Sequence, residues 1–235
     1  MTTLTYYGHA CFGLTYKGSN ILFDPFISGN EAAGHINIDS IPADYILLSH
    51  GHQDHVLDVE AIAKRTGAAV ISNFEVANWF GAQGIENVRP MNHGGEMSLP
   101  FGKIKYVNAV HTSSMPDGSY GGQPGGWVVF LDNGPSFYYS GDTALTYDMK
   151  LIGEQWAMDF AILCLGDHFT MGLHDAVRAA EFVGAHKVIG MHFDTFPPIE
   201  IDHDEAQQIF REAGLDLTLP KIGEMIEESA FQKAA

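Results

Sequence analysis

Short apolar runs separated by Gly- and Pro-bearing turns recur along the chain, and this rhythm predicts an α/β protein with much antiparallel strand. Phe12-Gly13-Leu14-Thr15-Tyr16 and Asn20-Ile21-Leu22-Phe23 flank Lys17-Gly18-Ser19, a hairpin signal. A loop over 26–41 follows, and Ala43-Asp44-Tyr45-Ile46-Leu47-Leu48-Ser49 is of strand length. Residues 58–66 fit a helix, with Asp58 as its N-cap and Gly67 as its stop. A strand over 68–72 and a helix over 73–81 then give β-loop-α-β order, as when helices lie on a sheet. Strands are expected at 103–110, 126–131 and 136–140, the last two joined through the tight turn that Asn133-Gly134 signals. A helix over 175–183 closed by Gly184, a strand over 187–191 and a helix over 203–213 complete the pattern.

Chemistry collects where these runs end. His50-Gly51-His52-Gln53-Asp54-His55 puts three imidazoles and a carboxylate within six residues, directly after an apolar run. The strand-like runs that follow lead to His111, to Gly141-Asp142-Thr143 and to His192. α/β sheets place ligand sites at the C-terminal ends of strands. Imidazole suits zinc, nickel and iron, and a carboxylate beside it adds manganese. A histidine-rich surface loop is the plain alternative for the first motif alone, but it leaves the later strand-end residues unaccounted for.

His50-x-His52-x-Asp54-His55 with His111, Asp142 and His192 resembles the metallo-β-lactamase superfamily, and the resemblance runs over essentially the whole chain. Tyr7-Gly8-His9-Ala10-Cys11-Phe12, Leu22-Phe23-Asp24-Pro25 and Gly166-Asp167-His168-Phe169-Thr170-Met171-Gly172 resemble one branch of it. That branch holds small prokaryotic metal-dependent hydrolases related to the ascorbate-6-phosphate lactonases. The resemblance implies a four-layer αββα sandwich in a single 1–235 domain. It also implies two divalent metal ions per chain, with zinc the first expectation and manganese, nickel or iron the alternatives. His50, His52 and His111 would hold one ion, Asp54, His55 and His192 the other, and Asp142 would bridge them. The implied reaction is attack by a metal-bridging hydroxide on a small ester, lactone or phosphodiester.

His9 and His168 are the candidates for a further catalytic role beside Asp142. Each would donate a proton to the leaving group, bind substrate or orient a ligand. His35, His93, His174, His186 and His203 are expected to be surface or structural. Asp24 reads either as the acceptor that holds a ligand histidine's other N–H or as a turn residue before Pro25. In the loop 113–126, 7 of 14 residues are Gly or Pro, which fits a substrate-facing lid with Tyr120 as a contact, or a plain surface connection.

Composition narrows the partners. With 12 Lys+Arg against 29 Asp+Glu the formal charge is −17, which argues against nucleic acid or an anionic membrane and leaves a small-molecule substrate. Assembly into a homo-oligomer is left open. Cys11 and Cys164 form no Cys-x-x-Cys pair and are expected in the core. No signal-type segment or membrane-length apolar run is seen, so a cytoplasmic location is the default expectation. Two other function classes are weaker. A flavin-coupled di-iron redox protein would carry a glutamate at the position of His52 and a fused flavin domain. A non-catalytic metal-holding or sensing protein would fit a degenerate site, whereas all seven ligand positions are filled here.

Overall fold

Two sheets of seven strands carry the chain in a computed structural model that describes residues 2–226 and Phe231. The expected domain limits at 1 and 235 lie outside the described residues. The first sheet contains β1 (Thr2–Gly8), β2 (Cys11–Tyr16), β3 (Ser19–Phe23), β4 (Tyr45–Leu47), β5 (Ala69–Asn73) and β6 (Val88–Met91). The second contains β7 (Glu96–Leu99), β8 (Gly102–Asn108), β9 (Gly125–Leu131), β10 (Ser136–Tyr139), β11 (Phe160–Cys164), β12 (Lys187–Met191) and β13 (Asp216–Thr218). A last strand, β14 (Met225–Ile226), returns to pair with β1.

Each sheet is half antiparallel and half parallel. β1, β2 and β3 form a meander, and β3 to β6 run parallel. β7, β8, β9 and β10 form the second meander, and β10 to β13 run parallel. Parallel neighbours need crossovers, which helices supply. α1 (Gln53–Val56), α2 (Val59–Thr66) and α3 (Phe74–Ala82) serve the first sheet. α4 (Asp148–Gln155), α5 (Leu173–Val183) and α6 (His203–Glu212) serve the second. No helix among the described residues is long and apolar enough to cross a membrane.

Alternation along the parallel strands assigns the two faces. Phe23, Leu47 and Ile71 point to the second sheet, where Phe23 meets Phe137 and Tyr139 with ring centroids 6.0 and 5.0 Å apart. Leu22, Ile46 and Val70 point the other way, onto Val59 and Ile62 of α2 and Val76 and Phe80 of α3. Both faces are covered, so these strands read in sequence as unbroken apolar runs. The result is the expected helix-sheet-sheet-helix order. Cys11 and Cys164 are fully buried in its two apolar clusters.

Asp58 departs from its expected role. It occupies the N-cap position of α2 but makes no side-chain cap hydrogen bond. Its buried carboxylate instead accepts from the backbone N–H of Ile27 and Ser28, at 2.6 and 2.9 Å, and from the Ser28 hydroxyl. Three donors in a loop without its own ladder outbid the helix end. Asp58 therefore pins the 26–30 segment beside the site. We expect Asp58→Ala and Asp58→Ser both to lower unfolding free energy by about 1–3 kcal/mol in urea titrations, because each leaves buried donors unpaired. Serine is a good N-cap, so wild-type stability in Asp58→Ser would show that capping is the true role.

Candidate metal centre

Six strands release site residues at one edge. His9 follows β1, Asp24 follows β3, and the 50–55 motif follows β4. Asp142 comes three residues after β10, and His192 directly follows β12. The strand expected to run to Val110 stops at Asn108, so His111 arrives from a short extension of β8. His9, Asp24 and His192 have φ of 55°, 39° and 55°, in the left-handed region that polar residues tolerate best outside glycine. The backbone turns sharply there and sends each side chain inward across the seam.

Close packing fixes the central turn. A Cβ at Gly51 would lie 2.5 Å from Met115 Sδ and 3.1 Å from Ser114 O, so a side chain there would have to displace Met115 and press on the Ser114 backbone. The Gly51 N–H donates to Ser113 Oγ at 3.1 Å, and Asn73 Nδ2 donates to Gly121 O at 2.8 Å and Gln123 O at 3.1 Å. The 113–126 loop is thus tied down behind the motif as a brace. Tyr120 is 67% exposed and stands outside the cleft lining, so the lid reading is replaced by a structural one.

The donor atoms form two clusters sharing a junction. Ring nitrogens of His50, His52 and His111 lie within 4.8 Å of one another, and so do ligand atoms of His9, Asp54, His55 and His192. His50, His55 and Asp142 make a third such group that links them. Asp142 Oδ2 lies 2.9 Å from His192 Nε2, 3.2 Å from His55 Nε2 and 3.6 Å from His111 Nε2. Yet His55 Nε2, His192 Nε2 and Asp142 Oδ1 are buried with no hydrogen-bond partner. Buried polar atoms are normally satisfied. Orphaned lone pairs converging from imidazoles and a carboxylate fit a divalent cation.

Neighbours fix which lone pairs point inward. Asp24 is fully buried; its Oδ1 accepts from the Ser49 N–H at 2.7 Å, and its Oδ2 takes the Ser49 hydroxyl at 2.5 Å and His55 Nδ1–H at 2.9 Å. The Tyr139 hydroxyl reaches Asp24 Oδ2 and Ala10 O, each at 2.8 Å. Ser49 spends its single hydrogen on Asp24, so its oxygen accepts from His50 Nδ1–H at 2.9 Å. The nitrogen that His50 and His55 turn to the centre is therefore Nε2, which in His50 lies 2.9 Å from His52 Nδ1 and in His55 must give up its proton before it can serve as a ligand. Of the two sequence readings of Asp24, the structure selects the acceptor.

Electrostatics sort the imidazoles. Burial lowers His50 well below the usual value, with His55 adding to it, and burial also lowers His52 and His111. These rings are neutral near pH 7 and ready to bind. Burial pulls His55 down too, but Asp142 and Asp24 outweigh it and hold that ring well above the usual value. Burial works upward on Asp142, but His192 and His55 outweigh it and keep the carboxyl well below its ordinary range. Asp54 is lowered in the same way, its burial offset by the hydrogen bond from His9 and the charge on His55.

The two further histidines separate. His9 is fully buried, with Nε2 3.2 Å from Asp54 Oδ2 and Nδ1 2.8 Å from Thr195 Oγ1. Burial, with His192 adding to it, lowers its pKa to about 4. His9 does not line the open cleft but stands behind Asp54. His168 is exposed, its ring edge-on to Phe169 at 4.6 Å, and the structure does not bring it into the cluster. Phe169, Phe196 and Thr112 do line the cleft, beside cluster members, around a volume of about 290 Å³. Ser49, Tyr139 and Thr195 are site residues that sequence reading missed. Ser49 alone had a signal, its place directly before His50. Of the remaining histidines, His93 stacks on Tyr106 at 4.9 Å, and His203 pairs with Asp194 at 2.6 Å.

Comparison with known proteins agrees with this geometry. A profile of the beta-lactamase superfamily domain matches residues 19–193. The chain belongs to the beta-lactamase superfamily. A metal-dependent hydrolase of Christiangramia forsetii is 54% identical over 225 residues, covering 95% of this chain and 99% of that one. One from Thermus thermophilus is 43% identical, with 96% and 99% covered. Among solved structures, a metallo hydrolase from the archaeon Ignicoccus hospitalis superposes with a TM-score of 0.86 at 32% identity, covering 96% of this chain and 97% of that one. This superfamily member shares its fold with that enzyme along nearly its full length.

Metal uptake is expected to release protons, with a sign set by His55. A ligand imidazole must be neutral. His55 retains its proton up to a pH well above the ordinary value in the metal-free protein, so the incoming ion must displace it, and affinity rises with pH across that range. Calorimetric titration of metal-free protein with zinc at about pH 6, in buffers of different ionisation enthalpy, is expected to show about one proton released per chain, and fewer in Asp24→Asn. Heats independent of buffer would contradict the His55–Asp142 assignment.

Proposed function

We propose that this superfamily member is a binuclear hydrolase of small substrates. The chain is an enzyme, a metal-dependent hydrolase. The observation that carries the binuclear reading is the pair of donor clusters joined through His50, His55 and Asp142, where buried atoms of His55, His192 and Asp142 have no hydrogen-bond partner. In this reading His50, His52 and His111 hold one divalent ion, Asp54, His55 and His192 hold the second, and Asp142 contributes to both. Such an ion pair, zinc or else manganese, nickel or iron, would ionise a water near neutral pH and act as Lewis acid toward the substrate oxygen.

The chain's own groups prepare that chemistry. Asp24 and Ser49 fix the ring orientation of His55 and His50. His9, neutral near pH 7, donates Nε2–H to Asp54 and accepts from Thr195, so it positions a ligand carboxylate and does not touch substrate. A cleft volume of about 290 Å³ supports a small substrate, here an ester, lactone or phosphodiester. His168, exposed and packed edge-on to Phe169, is not one of the residues that line the cleft.

Activity on such substrates is expected to vanish with chelator and return with metal. Asp142→Ala should cost more than about a hundredfold in kcat/KM together with metal content. His9→Ala should cost roughly 10–100-fold, the usual range for a group that orients a ligand. His168→Ala should cost least. A His168→Ala enzyme as inactive as Asp142→Ala, with full metal content, would make His168 a catalytic residue and overturn this division of roles.

A further inference from the structure

We infer that the cleft is shaped for an uncharged acyl compound carrying a flat apolar group, such as an aryl-substituted lactone or ester, and against anionic substrates. This rests on the hydrolase reading and narrows it. The cleft encloses about 290 Å³, at the small end of ligand pockets, which suits a molecule of about a dozen heavy atoms.

Two walls are phenyl rings from different loops, Phe169 after β11 and Phe196 after β12. Phe196 is a fixed wall, held by His9 at 5.5 Å and Phe26 at 6.2 Å between ring centroids. Phe169 is 53% exposed and lines the cleft, so it offers an apolar face at the mouth. Together they would cover a planar substituent by dispersion and edge-to-face contact.

The rest of the cleft points the same way. Its two carboxylates, Asp54 and Asp142, are the ones assigned to the ions; beyond them Thr112 supplies a hydroxyl, and none of the described lining residues is a lysine or arginine. The chain as a whole carries −17. A phosphate or carboxylate tail on the substrate would lose hydration without meeting a side-chain cation. An uncharged ester or lactone avoids that cost. In the reaction, a water oxygen bonds to the acyl carbon, the acyl C–O bond breaks, and the leaving oxygen takes a proton. One water proton ends on the leaving oxygen and the other is released to solvent, so an ester gives an alcohol and a carboxylate and a lactone gives a single hydroxycarboxylate.

The test uses metal-loaded full-length protein and three γ-butyrolactones bearing phenyl, methyl or carboxylate at the γ carbon, with bis-p-nitrophenyl phosphate as the anionic diester. The phenyl lactone is expected to exceed the methyl lactone roughly tenfold in kcat/KM, and the two anions by more. Phe169→Ala and Phe196→Ala should each shrink the phenyl-over-methyl ratio. Equal or faster turnover of the carboxylated lactone or the diester would overturn the inference. A second readout is independent of turnover: binding of the unreactive γ-phenyl lactam and of its carboxylated counterpart to the zinc-loaded protein, followed by ligand-observed NMR. If nothing is hydrolysed, the hydrolase reading fails, and this binding comparison still decides the cleft's preference. Phenyl lactam binding alone supports it. Equal binding, preference for the carboxylate, or no binding by either overturns it.

Discussion

A single buried carboxylate, Asp24, joins the two halves of this protein. It leaves β3 of the first sheet in a left-handed turn and reaches the seam, where Tyr139 of the second sheet donates to it. It also holds the Ser49 backbone, the Ser49 hydroxyl and the His55 ring. A fully buried carboxylate is tolerable only when its lone pairs are satisfied. Here the donors that satisfy it are the groups that must be aimed for the centre to exist. Packing of one sheet on the other and orientation of the metal-binding imidazoles are therefore one constraint, and disturbing either disturbs both.

Topology supplies the rest. Both sheets end their parallel strands at the same edge, so a crossover connection delivers each new strand end to one place. Sharp turns at these ends replace long loops, and the polar residues at positive φ are the site residues His9, Asp24 and His192 among others. Local strain of this kind is typical of functional positions. Gly141 at φ 57° sits against Ser49 and the Gly125 carbonyl, and a Cβ there would lie 2.7 Å from each. That close approach lets β10 present Asp142 beside the motif from β4.

Much of this was legible in the sequence where a strand is buried on both faces or a motif is dense. Residues 187–191 and 136–140 read as strands, close to the observed β12 and β10, because neighbours cover both sides of them, and the 50–55 motif announced its own chemistry. Strands β6, β7 and β13 were not legible. Each is short and lies at or next to a sheet edge, with few buried residues to set a pattern. Helix α4 escaped because only Met149 and Ile152 of its eight residues are buried. Asp58 looked like a cap because a cap and a loop clamp carry the same residue, and only the partners tell them apart. His9 and His168 looked equivalent by position. Burial separates them, since His9 is enclosed behind Asp54 and His168 faces solvent. The 113–126 loop looked like a lid because its glycines and prolines suggested mobility, whereas its hydrogen bonds to Gly51 and Asn73 make it a brace.

Metal positions test the account most directly. Crystals of zinc-loaded protein, with diffraction data collected on both sides of the zinc absorption edge, would locate the ions without reference to activity. The account predicts two anomalous peaks, one among His50, His52 and His111 and one among Asp54, His55 and His192, with Asp142 between them and the His55–Asp24 hydrogen bond retained. A single peak at full zinc loading, or a second peak away from Asp142, would contradict it.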